Sequence, residues 1–100
     1  MATPALSQQE IAEHMRKLDA WELDGDSIKK SYKLPNYMAG LAWATTIGTI
    51  AEAHDHHPDL TIGYRTVTAR FTTHDAGSKL SAKDFAVAAA IDAVGYPKAE

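Results

Sequence analysis

Apolar and polar positions alternate along the chain with two different periods, and these periods predict its secondary structure. Apolar residues recur at helical spacing after Ser7-Gln8-Gln9-Glu10, a segment with the form of a capping box, so a first helix is expected to begin at Ser7. The segment Trp21–Tyr32 then alternates with a period of two around the turn residues Asp24-Gly25-Asp26. This pattern predicts a β-hairpin.

The rest of the chain, from about Asn36, is predicted to form a helix, two strands and a last helix. A largely apolar segment predicts a helix from about Asn36 to His54, which must end before Pro58 because the residue preceding a proline is pushed out of the helical conformation. Alternation returns in Leu60–Tyr64 and continues in a following strand, with its apolar parity in Val67–Phe71 and its polar parity extending from Thr66 to His74, which predicts a second pair of strands. A second capping box, Ser81-Ala82-Lys83-Asp84, opens the last helix.

The predicted order is therefore helix, strand, strand, helix, strand, strand, helix. Strands joined as hairpins favour an antiparallel sheet, and the apolar side of such a sheet needs helices packed against it. The predicted fold class is α+β with two layers, a four-stranded antiparallel sheet and helices packed on one face. The chain has 100 residues without a visible repeat or linker, so a single domain over residues 1–100 is expected.

Composition narrows the classes of function. The net charge of −3 argues against binding to nucleic acid, which requires a basic surface. The chain has no cysteine, which excludes a disulfide framework and a thiolate metal site. Met1–Ser7 does not resemble a signal peptide, and the most apolar segment, Tyr37–Ala51, is too short to span a bilayer. A cytoplasmic protein that does not bind membranes is expected.

Two predicted helices are more apolar than a small monomer requires. No charged residue occurs between Asn36 and Ala51, or between Phe85 and Ile91. A helix that is apolar around most of its circumference needs cover on both sides, and this chain has one sheet to offer. Although surfaces of Ala and Thr are also tolerated in water, this pattern favours self-association.

Histidines are concentrated in one part of the chain. Four of the five lie between His54 and His74, and the densest group, in the segment Glu52–Pro58, falls at a predicted helix C-terminus. The negative end of the helix dipole favours protonated histidine there, and Glu52 lies four residues before His56 and could pair with it if the helix persists that far. The remaining one, His14, is expected to be solvated on the polar side of the first helix.

These residues alone leave three interpretations open. A polar, solvated helix end is the simplest. The imidazole and carboxylate groups could instead form a zinc site, although their spacing is not that of a His-Glu-x-x-His motif and the adjacent side chains of His56 and His57 diverge on a regular backbone. The third interpretation is acid–base catalysis by two or three imidazoles without a metal.

The spacing of the cluster to residues further along the chain resembles a specific family. Glu52-x-x-x-His56-His57-Pro58, five residues, Tyr64, nine residues, His74, nine residues and Asp84 is similar to the signature of the pterin-4a-carbinolamine dehydratases. The resemblance extends over roughly Leu18–Val94 and includes the following segments: Trp21 before a hairpin, Tyr32-x-Leu34-x-Asn36-Tyr37-x-x-Gly40-Leu41-x-Trp43, Thr73-His74-Asp75 and Leu80-Ser81-x-x-Asp84.

The resemblance implies a fold in which helices cover one face of a four-stranded antiparallel sheet, and assembly as a homodimer or homotetramer. It also implies a reaction, the loss of water from 4a-hydroxytetrahydropterin to give quinonoid dihydropterin, with neither metal nor cofactor. His56 and His74 would form the acid–base pair, and His57 would mainly bind and orient the substrate. The implied site residues are His56, His57 and His74 for catalysis, Asp55, His56, His57, Thr72, Thr73, His74 and Asp75 for substrate binding, and Glu52, Pro58 and Asp84 in support.

Some residues of the signature also have a simpler explanation. The capping box accounts for Asp84, so a structural role is favoured for it over a catalytic one. Trp21 and Tyr64 are expected at the core or the rim of the site, and His54 is expected on the surface outside it. The family also suggests an alternative function, because one of its animal members stabilises dimers of a homeodomain transcription factor. The chain could be such an interaction module with a vestigial pterin site.

Overall fold

The computed structural model describes residues 3–99, so Met1, Ala2 and Glu100 of the predicted domain 1–100 lie outside the described residues. A short 3-10 turn, His74–Ala76, precedes the last helix. The other elements, in chain order, are α1 (Gln8–Met15), β1 (Glu22–Asp24), β2 (Ser27–Lys33), α2 (Tyr37–Ala53), β3 (Asp59–Ile62), β4 (Thr66–Phe71) and α3 (Ala82–Val94).

The strands form one antiparallel sheet in the order β1-β2-β4-β3. The first hairpin closes through Gly25-Asp26, and Gly25 has a φ of 60°, a left-handed conformation that glycine adopts without steric cost. The two longest strands, β2 and β4, pair in the centre. The predicted α+β fold with a four-stranded antiparallel sheet is confirmed.

The core lies between the sheet and the helices α2 and α3. Alternate residues of β2 and β4 face these helices and are buried, while the opposite parity of both strands is exposed or partly exposed. The helices therefore cover one face of the sheet, as predicted. The buried apolar residues are Trp21, Ile28, Tyr32, Leu34, Trp43, Ala44, Ile47, Ala51, Val67, Ala69, Phe71, Leu80, Phe85, Val87, Ala88 and Ile91.

Both predicted capping boxes are present and determine where α1 and α3 begin. The Ser7 side chain accepts from the backbone of Glu10, whose carboxylate accepts in return from the Ser7 backbone at 2.9 Å. The same reciprocal pair links Ser81 and Asp84, but here both side chains are fully buried. Helix α2 starts at Asn36, whose side chain accepts from the Ala39 N–H at 2.8 Å. Local sequence thus sets all three helix starts.

Three residues lie in other environments than their patterns predict. Leu23 is exposed because β1 is a three-residue edge strand, and Tyr64 lies in the loop between β3 and β4 and is 77% exposed. His14 is partly buried and stacks on Phe85, with ring centroids 4.7 Å apart, so the expectation of a solvated side chain was wrong. Long-range packing, which local periodicity does not encode, decides these cases.

Helix α2 buries one face and leaves the other uncovered within this chain. Its buried residues are Gly40, Trp43, Ala44, Ile47 and Ala51. At its start Met38 is 71% exposed and Tyr37 46% exposed. Despite this apolar character, none of the helices within residues 3–99 is long and apolar enough to cross a membrane.

Candidate active site

The end of α2 reverses the chain sharply and separates the two adjacent histidines. His54 caps the helix, and Asp55 adopts the left-handed conformation with a φ of 49°. The His56 N–H then donates back to the Ala51 carbonyl at 3.0 Å. Asp is among the few residues other than glycine that tolerate this conformation. The reversal leaves His56 buried and His57 exposed.

His56 is held in the interior by a carboxylate and an aromatic ring. Its Nε2 lies 2.6 Å from the Asp84 Oδ1, and Asp84 is fully buried. The imidazole stacks on Phe71 of β4, with the planes inclined by 13° and the centroids 5.8 Å apart. A charge-assisted hydrogen bond on one edge and a ring on one face leave little rotational freedom to this side chain.

The Asp84 carboxylate joins His56 to the start of α3. Its Oδ2 accepts from the Thr73 hydroxyl at 2.8 Å and from the Ser81 backbone N–H at 2.9 Å. The Thr73 hydroxyl also lies 2.6 Å from the Ser81 Oγ. The side chains of all four residues are buried. Because a buried charge without a partner is destabilising, these hydrogen bonds matter to the stability of the fold. Asp84 therefore has a role in the site that the capping box alone did not reveal.

Glu52 pairs with His57 and not with His56. The His57 Nε2 lies 3.2 and 3.3 Å from the two oxygens of the Glu52 carboxylate, and both side chains are largely exposed. The pairing of Glu52 with His56 required the helix to persist to His56; the helix ends at Ala53, so the i, i+4 geometry does not apply and this pair does not form. An exposed pair of this kind contributes little to stability.

His74 comes from the 3-10 turn that follows β4, although the alternation placed it in the strand. Strand β4 ends at Phe71, and the carbonyl of His74 accepts from the N–H groups of Gly77 and Ser78. Gly77 ends the turn with a φ of 74°. The side chain of His74 is exposed, in contrast to that of His56.

Asp75 and Lys83 lie beside His74. The Asp75 Oδ2 accepts from the Thr3 hydroxyl at 3.0 Å and lies 3.7 Å from the Lys83 Nζ. The hydrogen bond from Thr3, and to a smaller extent the charge of Lys83, lower the pKa of Asp75 below its ordinary value. The exposed rim therefore carries an ionised carboxylate next to an ammonium group.

A cleft of about 390 Å³ brings the predicted residues together. Its volume lies in the range of small-molecule sites. All seven residues predicted to bind substrate line the cleft, and Pro58 lines it as well. The lining residues are Asp55, His56, His57, Pro58, Asp59, Thr72, Thr73, His74, Asp75 and Lys83.

The cleft also contains Asp59 and Lys83, which were not among the residues predicted to form the pterin site. Lys83 lies in the first turn of α3, directly before the buried Asp84. Its position next to a residue of the signature was the signal that could have identified it. Glu52 and Asp84 are not part of the lining and act on the histidines that are. Thr72 donates to the Asp26 carbonyl at 2.7 Å, which ties this wall to the first hairpin.

Three other residues considered from the sequence lie outside the cleft lining. The His54 ring nitrogen lies 3.0 Å from the Ile50 carbonyl, one turn earlier in α2. Trp21 is buried and donates its indole N–H to Asp92. Tyr64 is exposed in its loop. As for the zinc alternative, within residues 3–99 no three His, Asp or Glu side chains are placed together to hold a metal ion.

Comparison with known proteins agrees with the family resemblance seen in the sequence. The family model for pterin 4 alpha carbinolamine dehydratase matches residues 4–94. A protein of Chloroflexus aurantiacus is 45% identical over 91% of this chain and 97% of its own length, and one of Roseiflexus sp. is 43% identical over 94% and 99%. Both are named provisionally as pterin-4-alpha-carbinolamine dehydratases.

A solved structure has the same fold. It is the crystal structure of a protein from Brucella melitensis described as a transcriptional coactivator/pterin dehydratase. The two structures agree with a TM-score of 0.81 at 27% sequence identity, over 90% of this chain and 97% of the other.

Proposed function

Because this chain belongs to the pterin-4-alpha-carbinolamine dehydratase family, we propose that it removes water from a 4a-hydroxytetrahydropterin and releases a quinonoid dihydropterin. The observation that carries the proposal is the convergence of His56, His57 and His74 on one cleft from two separate parts of the chain. The family match supports the reaction class, and the convergence supports histidine acid–base chemistry.

The reaction needs one proton donor and one proton acceptor. The hydroxyl on the ring carbon takes a proton and leaves as water, while the lone pair of the adjacent ring nitrogen forms a double bond to that carbon. A proton is then lost from the pterin ring to a base, so the overall reaction releases only water. Imidazole suits both steps because it exchanges protons near neutral pH.

The contact with Asp84 supports an assignment of roles to the two nitrogens of His56. An ionised carboxylate only accepts hydrogen bonds, so the His56 Nε2, at 2.6 Å, carries a hydrogen. The Nδ1 is then the nitrogen that gains or loses a proton during the reaction, and Asp84 stabilises the imidazolium. We assign His56 and His74 as the acid–base pair, with His56 in a fixed orientation and His74 on the exposed turn.

The remaining residues are proposed to bind or position the substrate. His57, paired with Glu52, would bind and orient the pterin, and Asp55, Thr72 and Asp75 would line the pocket. Pro58 would keep the chain extended after the reversal at the end of α2. Thr73 also lines the cleft, but its hydroxyl is engaged by Asp84 and Ser81, so we assign it to positioning His56 through Asp84.

The test is to supply 4a-hydroxytetrahydropterin and follow formation of the quinonoid product. We expect the wild-type protein to accelerate dehydration above the uncatalysed rate, and His74→Ala to lose about 100-fold or more of that acceleration. His54→Ala is the matched control, because His54 is exposed and outside the cleft. An inactive wild-type protein would refute the enzyme, and an unchanged rate in His74→Ala would remove His74 from the mechanism.

A second candidate function follows from the description of the Brucella melitensis protein as a transcriptional coactivator. This chain would then bind a protein partner through the uncovered face of α2, where Tyr37 and Met38 are exposed. The same face would serve the homodimer or homotetramer that the apolar helices predict. Light scattering of the chain alone and with candidate partners separates the two, because a homotetramer that buries this face would leave it unavailable to a partner.

A further inference from the structure

A second cleft, of about 160 Å³, lies where the end of α3 approaches β2 and α2. We call it the α3-end cleft, and Lys30, Tyr32, Trp43, Asp92 and Tyr96 are among the residues that line it. It shares no lining residue with the histidine cleft. The dehydration proposed above makes no use of it.

Two buried polar atoms in the walls of this cleft have no hydrogen-bond partner within residues 3–99. They are the hydroxyl of Tyr32 and the indole Nε1 of Trp43. Tyr32 is 1% exposed and Trp43 is 4% exposed. Buried polar groups are paired in the large majority of cases, because a group that loses water without gaining a partner is destabilising. Two such groups in one cleft can be paired by a bound molecule that supplies an acceptor.

The unpaired groups are both donors, which defines the chemistry of that ligand. An indole N–H can only donate. Burial, with a smaller effect from Asp92, raises the pKa of Tyr32 above its ordinary value, so its hydroxyl keeps its proton and can donate. The Asp92 carboxylate is already engaged, by the Trp21 indole at 3.0 Å and by the Lys30 ammonium at 3.2 Å. Neither donor is paired with the carboxylates that line the cleft, so a ligand that pairs with them must supply an acceptor.

The walls of the cleft are suited to a flat ring. Tyr96 stacks on Trp43, with centroids 5.4 Å apart, and meets Tyr32 edge-on at 4.8 Å. Tyr96 is only partly buried and follows Gly95, which has a φ of 77° at the end of α3. Its ring packs over the two rings that carry the unpaired donors. A ligand ring of similar size can make the same contacts when Tyr96 turns aside.

We propose that the α3-end cleft binds a small organic compound with one aromatic ring and a carboxylate or carbonyl oxygen. The ring packs among the aromatic side chains, and the oxygen accepts from the Tyr32 hydroxyl and the Trp43 indole N–H. The Tyr96 ring that the ligand would replace is a single six-membered ring, and this sets the size of the ligand ring. Tyr96 is its movable cover.

The two tryptophans of the chain make a direct test possible. In ¹⁵N-labelled protein each gives one indole N–H signal, and through-bond assignment, checked with Trp43→Phe, identifies them. We expect benzoate and benzamide to shift the Trp43 signal saturably, and benzylamine, which has the ring but no oxygen, to leave it in place. No saturable shift with benzoate or benzamide, or an equal shift with benzylamine, would overturn the proposal.

Tyr32→Phe separates binding from stability. Loss of one hydrogen bond should weaken benzoate binding about tenfold. The melting temperature should not fall, because the hydroxyl has no partner to lose in the free protein. Tyr64→Phe is the matched control, since this tyrosine is exposed in a loop and should affect neither measurement. Undiminished benzoate binding in Tyr32→Phe would show that the hydroxyl does not contact the ligand and would overturn the proposed geometry.

Discussion

The histidine cleft has two sides that differ in how they are built. On one side, His56 is buried, stacked on Phe71 and bonded to a carboxylate inside the core. On the other, His74 is exposed on a 3-10 turn next to Asp75. The same residue type is thus part of the folded core on one side and a surface group on the other.

The two proposed members of the acid–base pair therefore depend on the folded core to different extents. A buried, fully bonded imidazole gives fixed geometry, but any change there also disturbs the core. An exposed imidazole on a turn exchanges protons readily with water, and its replacement leaves the core intact. Mutations on the buried side should therefore affect activity and stability together, whereas those on the exposed side should affect activity alone.

The largest combined effect is expected for His56→Ala. It removes a proposed catalytic group and leaves the Asp84 carboxylate buried without its imidazole partner. We expect turnover to fall by about 100-fold or more and the free energy of unfolding to fall by about 3 kcal/mol. Product formation and urea denaturation measure the two quantities. The control is His57→Ala, at the exposed neighbour, which should change the free energy of unfolding by less than about 0.5 kcal/mol. Equal losses of stability in both variants would refute the contrast between the buried and the exposed side.

Asp84→Asn should have the next largest effect, mainly on stability. An amide keeps the shape of the side chain but lacks the negative charge next to His56. Its NH₂ group must also face a group that donates to the carboxylate in the wild type, so one hydrogen bond is lost. We expect a loss of about 2 kcal/mol in urea denaturation and about a tenfold lower rate. Glu10→Gln is the matched control, because Glu10 has the same place in the exposed capping box of α1. Similar losses in both variants would mean that Asp84 acts only as a cap.

The elements that the sequence predicted well are those determined by neighbouring residues. Both capping boxes and the turn at Gly25 are local patterns, and they fix where α1 and α3 begin and where the first hairpin turns. The inward parity of β4 was also readable, because alternation follows directly from strand geometry. The fold class follows from the order of these elements.

The site was predicted only as far as spacing and resemblance reach. They named eight of the ten residues that line the cleft, but did not reveal the contact between His56 and Asp84, which are 28 residues apart. That contact depends on the chain reversal at Asp55 and on how α3 packs against the sheet, and neither follows from local pattern. The pairing considered for Glu52 and His56 depended on how far the helix persists, and local pattern did not show that the helix ends at Ala53.

A smaller effect is expected at the exposed rim, for Lys83→Ala. Lys83 lines the cleft and lies 3.7 Å from Asp75, with nearly half of its side chain exposed. We expect KM to rise about threefold through loss of a substrate contact, with kcat unchanged and stability within about 0.5 kcal/mol. Steady-state kinetics and urea denaturation check this. A fall in kcat with KM unchanged would instead place Lys83 in the chemical step.

The smallest effect concerns the pH dependence of stability on the same rim. The pKa of Asp75 is lowered from its ordinary value of 3.8, first by the hydrogen bond from Thr3 and then by Lys83. A carboxyl with a lowered folded-state pKa stabilises the protein above its unfolded pKa, and this contribution is lost as the pH falls through the folded value. In Asp75→Asn the side chain cannot ionise. Wild type should therefore be slightly more stable than Asp75→Asn at pH 6, and their melting temperatures should converge as the pH falls below the folded-state pKa.

The order of the two causes at Asp75 can be tested in the same series. Because the hydrogen bond from Thr3 is the larger cause, most of the pH-dependent difference should persist when Asp75→Asn is made in a Lys83→Ala background. It should shrink in a Thr3→Ala background. Added salt should weaken the Lys83 contribution, because this pair is exposed to solvent. A difference that disappears with Lys83→Ala and persists with Thr3→Ala would show that the charge of Lys83, and not the hydrogen bond from Thr3, is the larger cause of the lowered pKa of Asp75.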